Sequence, residues 1–154
     1  MVTLYTDGAC RGNPGPGGYA AILLYPGHRQ ELCGGFVRTT NNRMELLAVI
    51  VGLEAIPERA QVMVYTDSRY VAHAVNLGWL ARWLRQGLHK KKNADLWRRF
   101  WQVYQRHEVT MRWIQGHAGH VENERCDRLA VQAARDCPTA HDQGYELGGD
   151  GLSR

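Results

Sequence analysis

Leu4-Tyr5-Thr6-Asp7-Gly8 and Val64-Tyr65-Thr66-Asp67-Ser68 decide how this chain is read. Both are β-prone runs that close on Thr-Asp and then a small residue. As adjacent parallel strands they would carry Asp7 and Asp67 side by side to one end of a sheet, the end where α/β folds bind ligands. Each aspartate also has a local reading: Asp7-Gly8 as a turn, Asp67 as a helix N-cap. The repetition of the pattern favours the pair.

Outward from the first strand, Val2–Asp7, the residues Gly8, Gly12, Gly15, Gly17 and Gly18 with Pro14 and Pro16 predict a turn region. Tyr19–Tyr25 and Glu31–Arg38, joined by Pro26-Gly27, predict a hairpin that completes an antiparallel meander. A helix is expected over Arg43–Ile56, ended by Pro57, and then the apolar strand Gln61–Asp67. The region from Ser68 to Leu84 reads as helical with a break near Gly78, and Asp95–His107 as another helix. Val109–Ile114 alternates as a strand. In the last helix, Glu122–Cys137, the residues Cys126, Leu129, Ala130, Ala133, Ala134 and Cys137 share one face. Beyond Pro138 the chain is glycine-rich and expected to be loose. The order βββαβααβα implies a mixed sheet covered by helices, an α/β fold.

The chain has 154 residues, 44% of them hydrophobic and 22% charged, which suits one domain with a sizeable core. No uncharged apolar run approaches the roughly 20 residues that span a bilayer. Met1 to Asp7 has neither a basic nor an apolar leader pattern, so a cytoplasmic protein without a membrane partner is expected. Cys10, Cys33, Cys126 and Cys137 form no C-x-x-C pair, which speaks against a structural zinc site or a thioredoxin-type motif. The net charge is +4. Its positive excess is concentrated: Arg82, Arg85, Lys90, Lys91, Lys92, Arg98 and Arg99 lie in one stretch whose only acid is Asp95. Such a feature fits a polyanion partner, or a solvated face.

Two more acids stand out. Glu45 shares a helical stripe with Ala48, Val49, Gly52 and Ile56, where a carboxylate is costly unless its charge is offset. A capping box, Asn42-x-x-Glu45, would satisfy it locally, and the segment leaves both readings open. Asp127 sits on the shoulder of the last helix's apolar face, where a surface acid is the ordinary reading. Four converging carboxylates would repel one another and call for a cation; oxygen-only ligands suit Mg²⁺ or Mn²⁺ rather than zinc. Two such ions about 4 Å apart activate water and stabilise a leaving oxygen in phosphodiester hydrolysis. Gly116-His117-Ala118-Gly119-His120 precedes the last helix; His117 is expected to be exposed and mobile, able to move protons, and His120 to be structural.

These motifs resemble those of the bacterial type 1 ribonuclease H family. The matching segments are Tyr5 to Tyr19, Thr39-Thr40-Asn41-Asn42-Arg43-Met44-Glu45-Leu46, Tyr65-Thr66-Asp67-Ser68 and Gly116 to Asp127, in family order from Val2 to about Tyr145. The resemblance implies a single ribonuclease H domain over residues 1–145, with 146–154 as a flexible tail. It implies a five-stranded mixed sheet, three antiparallel strands then two parallel. It also implies Mg²⁺-dependent endonucleolytic cleavage of the RNA strand of RNA–DNA hybrids, leaving 5′-phosphate and 3′-hydroxyl ends. By the same resemblance Asp7, Glu45, Asp67 and Asp127 are the metal carboxylates and His117 is the catalytic histidine. Asn13, Asn41 and Asn42 match positions that contact the hybrid, Thr40 a contact to a DNA phosphate, and Arg69 a position that is often Gln and touches RNA. Arg82, Arg85, Lys90, Lys91 and Lys92 form a basic protrusion, shorter than in the best-known members, that grips the DNA strand near Trp79 and Trp83. Helical spacing would equally let these two tryptophans pack the core. Two departures are Leu24, where the family often has an arginine of the DNA-phosphate pocket that Arg29 or Arg38 would have to replace, and Leu88, where an aromatic is frequent. A resolvase- or integrase-like DNA nuclease and a non-catalytic hybrid-binding module are the rival readings. The asparagine-rich turn before Glu45 argues against the first and the retained acids against the second. Nothing suggests an obligate protein partner, and a monomer is expected.

Overall fold

A computed structural model describes residues 1–136 and 138–149. Five strands, β1 (Val2–Cys10), β2 (Gly15–Tyr25), β3 (His28–Thr39), β4 (Gln61–Thr66) and β5 (Glu108–Trp113), form one sheet in the order β3-β2-β1-β4-β5. β3, β2 and β1 are antiparallel, whereas β4 and β5 run parallel to β1. The helices are α1 (Asn41–Glu54), α2 (Arg69–Asn76), α3 (Trp79–Gln86), α4 (Ala94–Tyr104) and α5 (Val121–Arg135), with a 3₁₀ turn at Leu88–Lys90 and a last helical turn at Tyr145–Gly149. This is the predicted mixed sheet, with three helices between β4 and β5 where the order βββαβααβα has two, the expected break near Gly78 making the difference.

The period of two along the strands sorts side chains onto two faces. Leu4, Ala21, Leu23, Val62 and Val64 meet α1 and α4 in the larger core, where Trp97 and Phe100 are fully buried. Ala20 and Ile22 meet Cys126 and Ala130 of α5 on the other face. That helix lies almost on the sheet backbone: a Cβ on Gly18 would stand 2.2 Å from the Ala130 carbonyl oxygen, and one on Gly35 2.7 Å from that of Ala133. Small residues on both partners make this approach possible.

The structure departs from the sequence expectations in three places and meets one of them at Gly78. Strand β1 runs on through Asp7-Gly8 to Cys10, so no turn forms there. The glycine- and proline-rich turn shrinks to residues 11–14, because Gly17 and Gly18 pair with Cys10 and Ala9 as strand residues beneath α5. Gly78, at φ 78°, divides the 68–84 region into two helices, as its position suggested, and α3 packs Trp83 edge-on against Trp97 with ring centroids 5.7 Å apart. Past Pro138 the chain is docked rather than loose: Val37 N–H donates to Ala140 O at 2.9 Å, and Asp142 is buried. Cys137, at the expected end of the last helix, and residues 150–154 of the expected tail lie outside the described residues. No described helix is long and apolar enough to cross a membrane. Cys10, Cys33 and Cys126 are unpaired.

Candidate active site

Thr6 of β1 stands in register with Thr66 of β4, so Asp7 and Asp67 leave the sheet next to each other. The caps are supplied by other residues. Ser68 Oγ accepts the Val71 N–H at 3.2 Å and closes the start of α2, which leaves the Asp67 carboxylate free. Thr40 Oγ1 accepts the Arg43 N–H at 3.3 Å and caps α1, so no Asn42–Glu45 capping box forms.

Glu45 therefore turns inward and is buried, 7% exposed. Gly8 brings it to the aspartates. A Cβ at Gly8 would lie 2.4 Å from Glu45 N and 2.5 Å from the Met44 carbonyl carbon, so the bare backbone of β1 is the seat on which the first turns of α1 rest. Asp7, Glu45 and Asp67 each present a carboxylate oxygen, and these atoms lie within 4.8 Å of one another.

Among the described residues no cationic side chain forms an ion pair with this triplet. Asp7 Oδ1 accepts the Gly8 N–H at 2.9 Å. Even so, burial first and the Asp67 charge second push the Asp7 carboxyl up to about 8. Burial, reinforced by Asp7 and Asp67, raises Glu45 well above the ordinary carboxylate range, and burial raises Asp67. Glu45 Oε1 is buried with no hydrogen-bond partner. A buried orphan acceptor between two like charges is the donor set a hard divalent cation requires. The residues present fit such an ion.

Asp127, half-buried on α5, is not within that triplet, yet its charge raises both Asp7 and Asp67. His117 is exposed at φ 59°, near enough that its charge lowers the carboxyl of Asp67. Gly116 allows that loop to pass Asp67 closely, since a Cβ there would lie 2.7 Å from Asp67 Oδ2. Trp113 Nε1–H donates to the Asp67 backbone oxygen at 3.0 Å, and the Arg69 guanidinium stacks on the Trp113 ring at 4.8 Å. Gly8, Gly116 and Trp113 support the site, a role that the sequence reading gives to none of them. Only the glycines left a signal there, each one residue from a chemistry-bearing side chain.

A second charged cluster begins two residues before Glu45. The Arg43 guanidinium, 1% exposed, grips Asp95 with bonds of 2.8 and 2.7 Å and Asp142 with bonds of 2.8 and 3.0 Å. It also reaches Asn93 Oδ1 at 3.3 Å.

The remaining predicted residues are spread over a broad surface beyond the triplet. Asn13, Thr40, Asn42 and Lys92 line a cleft of about 270 Å³ together with Pro14, Asn93 and Tyr145, and Asn41 N–H donates to Asn13 Oδ1 at 3.0 Å. Arg82, Arg85, Lys90 and Lys91 are exposed along the basic stretch, with Lys91 Nζ 5.8 Å from the Trp83 ring centre. Trp79 meets His73 edge-on, and Leu88 is buried. Arg29 does not stand free to replace the arginine missing at Leu24: it is bound to Glu122 at 3.0 and 2.9 Å and to Glu31 at 2.8 Å.

The sequence profile of a family described as RNase H matches residues 1–135. Ribonuclease H of Desulforamulus reducens is 55% identical over 139 residues, covering 87% of this chain and 87% of that protein. Ribonuclease HI of Synechocystis sp. is 49% identical over 150 residues, covering 94% of each. Among solved structures, LC9-RNase H1, a type 1 RNase H with the type 2 active-site motif, superposes with a TM-score of 0.79 at 33% identity, over 95% of this chain and 79% of that one. LC11-RNase H1, solved in complex with RNA/DNA hybrid, shares the fold at a TM-score of 0.66 and 24% identity, over 87% of this chain and 96% of that one.

Proposed function

Because the chain belongs to the ribonuclease H family, we propose that it cuts the RNA strand of RNA–DNA hybrids by a mechanism using two divalent ions, leaving 5′-phosphate and 3′-hydroxyl ends. The observation that carries this reading is the buried carboxylate triplet with its orphaned Glu45 oxygen. Asp7, Glu45, Asp67 and Asp127 hold the metal, with Mg²⁺ the expected ion and Mn²⁺ a possible substitute. The bound ions supply an activated water and charge stabilisation at the leaving oxygen.

The residues of the chain do the rest. Burial of Asp7 and Glu45 excludes bulk water from the carboxylates, which strengthens every charge interaction at the scissile phosphate. Water adds to phosphorus and the bond to the 3′-oxygen breaks, so the phosphate stays with the 5′ end of the departing strand. His117, exposed beside Asp67, exchanges protons with water and product. Asn42 and Arg69 meet the RNA strand, whose 2′-hydroxyls line a wide, shallow minor groove, and Asn13 and Asn41 contact the hybrid beside them. Thr40, Lys92 and the stretch of Arg82, Arg85, Lys90 and Lys91, flanked by Trp79 and Trp83, meet phosphates of the DNA strand. We further propose that the enzyme acts as a cytoplasmic monomer.

The test is Asp7→Asn. It should abolish Mg²⁺-dependent cleavage of a hybrid while the circular-dichroism spectrum stays that of the wild type; undiminished cleavage overturns the reading. Duplex DNA and duplex RNA offered alongside the hybrid should remain uncut by the wild type.

A further inference from the structure

The cleft beside the carboxylate site has a wall that the active-site reading does not use. It is lined by residues of the turn after β1, the start of α1 and the basic stretch, and by Tyr145 of the docked C-terminal segment. The polar groups it presents are mostly donors. Asn13 Oδ1 is engaged by the Asn41 N–H, which leaves its amide N–H groups for the cleft. Thr40 Oγ1 accepts from Arg43 N–H, which leaves its hydroxyl proton free to donate. Lys92 brings a positive charge, and among the described residues no carboxylate lines the cleft. Such a lining suits a phosphate oxygen.

Tyr145 is held there by construction. The Asp142 carboxylate accepts from Arg43 Nε, Arg43 Nη2 and the Thr39 hydroxyl, and also from the Tyr145 N–H at 3.4 Å. Glu146 N–H donates to Asp142 O at 2.9 Å. One residue before the tyrosine, the chain passes so close to the Arg43–Asp95 pair that a Cβ on Gly144 would stand 2.6 Å from Arg43 Nη2. The same arginine thus fixes the helix that carries Asn42 and the turn that carries Tyr145.

We propose that Tyr145 is a further substrate-positioning residue, whose phenol hydroxyl donates to a backbone phosphate of the hybrid in this cleft. This rests on the hybrid-cleaving reading above. The test compares Tyr145→Phe with its parent, both in the Asp7→Asn background, by fluorescence anisotropy of a labelled hybrid in Mg²⁺. Loss of one hydrogen bond to a charged phosphate should weaken Kd about ten- to a hundredfold. In the otherwise wild-type enzyme the same substitution should raise KM by a similar factor and change kcat by less than twofold, with the melting temperature unmoved. An unchanged Kd overturns the proposal, whereas cleavage by Asp7→Asn itself overturns only the reading of the carboxylate site. Asp142→Asn should lower the melting temperature and weaken Kd together, because it frees the turn; a folded Asp142→Asn protein with unchanged Kd also counts against Tyr145.

Discussion

Arg43 and Glu45 stand two residues apart on α1, both nearly sealed from solvent, and they meet opposite surroundings. Around Arg43 the fold supplies its own counter-charges, two bidentate carboxylates and an amide. Around Glu45 it supplies more negative charge and leaves one oxygen without a partner. A buried ion whose partners are built in serves the architecture: it ties α1 to α4 and to the C-terminal segment. A buried ion set among like charges holds the fold at a disadvantage that only something from outside can relieve. The difference separates scaffold from site without reference to any relative.

The largest effect is expected from Glu45→Gln. Hybrid cleavage should fall about 10³-fold or more, as when a group acting on transition-state charge is lost, while the metal-free protein melts at a higher temperature at alkaline pH, where the wild-type Glu45 would be forced to ionise among like charges. Cleavage near wild-type level would break the comparison. Arg43→Met should do the reverse, leaving Asp95 and Asp142 unpaired and destabilising the fold by about 3–5 kcal/mol in urea titration.

Stability against pH separates the two clusters as well. The folded value of Asp7, about 8, lies above its ordinary 3.8, so the folded state keeps its proton longer than the unfolded chain. The associated stability is fully present below about pH 4 and is lost as pH rises towards 8. Asp95, lowered by Arg43 against the opposing effect of burial, contributes in the other sense: its stability is present above the ordinary carboxylate range and lost as pH falls below it. In EDTA, the melting temperature of wild type minus that of Asp7→Asn should therefore decline from pH 4 to pH 8, and Mg²⁺ should flatten the decline. A difference that rises with pH would contradict the assigned burial of Asp7.

Gly8→Ala forces α1 off its seat and should cost about 1–3 kcal/mol, with cleavage reduced as Glu45 is displaced from Asp7. The smallest effect belongs to the exposed pair Arg29–Glu122, where Arg29→Ala should change stability by only about 0.5 kcal/mol and leave cleavage alone.

Much of this was legible in the chain because it is carried by local period and by one repeated motif. The alternation along β1, the apolar run of β4 and the twin Thr-Asp endings are enough to bring Asp7 and Asp67 together from sequence alone. Glu45 was not settled in the same way, since Asn42 offered it a local partner. What decides between the two readings is a cap at Thr40 and a missing side chain at Gly8, and the second acts across the fold. The C-terminal segment misled for a related reason. Its glycines read as slack, yet Asp142 is fixed by Arg43, 99 residues away, and no local pattern announces a partner at that separation. Trp83 was open between core and substrate; its edge-on contact with Trp97 puts it against the core, with Lys91 near its ring. Gly17 and Gly18 looked like turn residues and are strand residues, because the nearby backbone of α5 tolerates nothing larger at Gly18.

The seat at Gly8 turns a chemical distance into a mechanical stop. Main chain touching main chain sets how far the root of Glu45 stands from Asp7, and side-chain rotation cannot retune it. Shortening the glutamate to aspartate would retract its carboxyl by one methylene, with the helix already at its limit of travel. The reach of residue 45 is thus matched to a fixed gap, and the scaffold has no slack with which to follow a shorter arm.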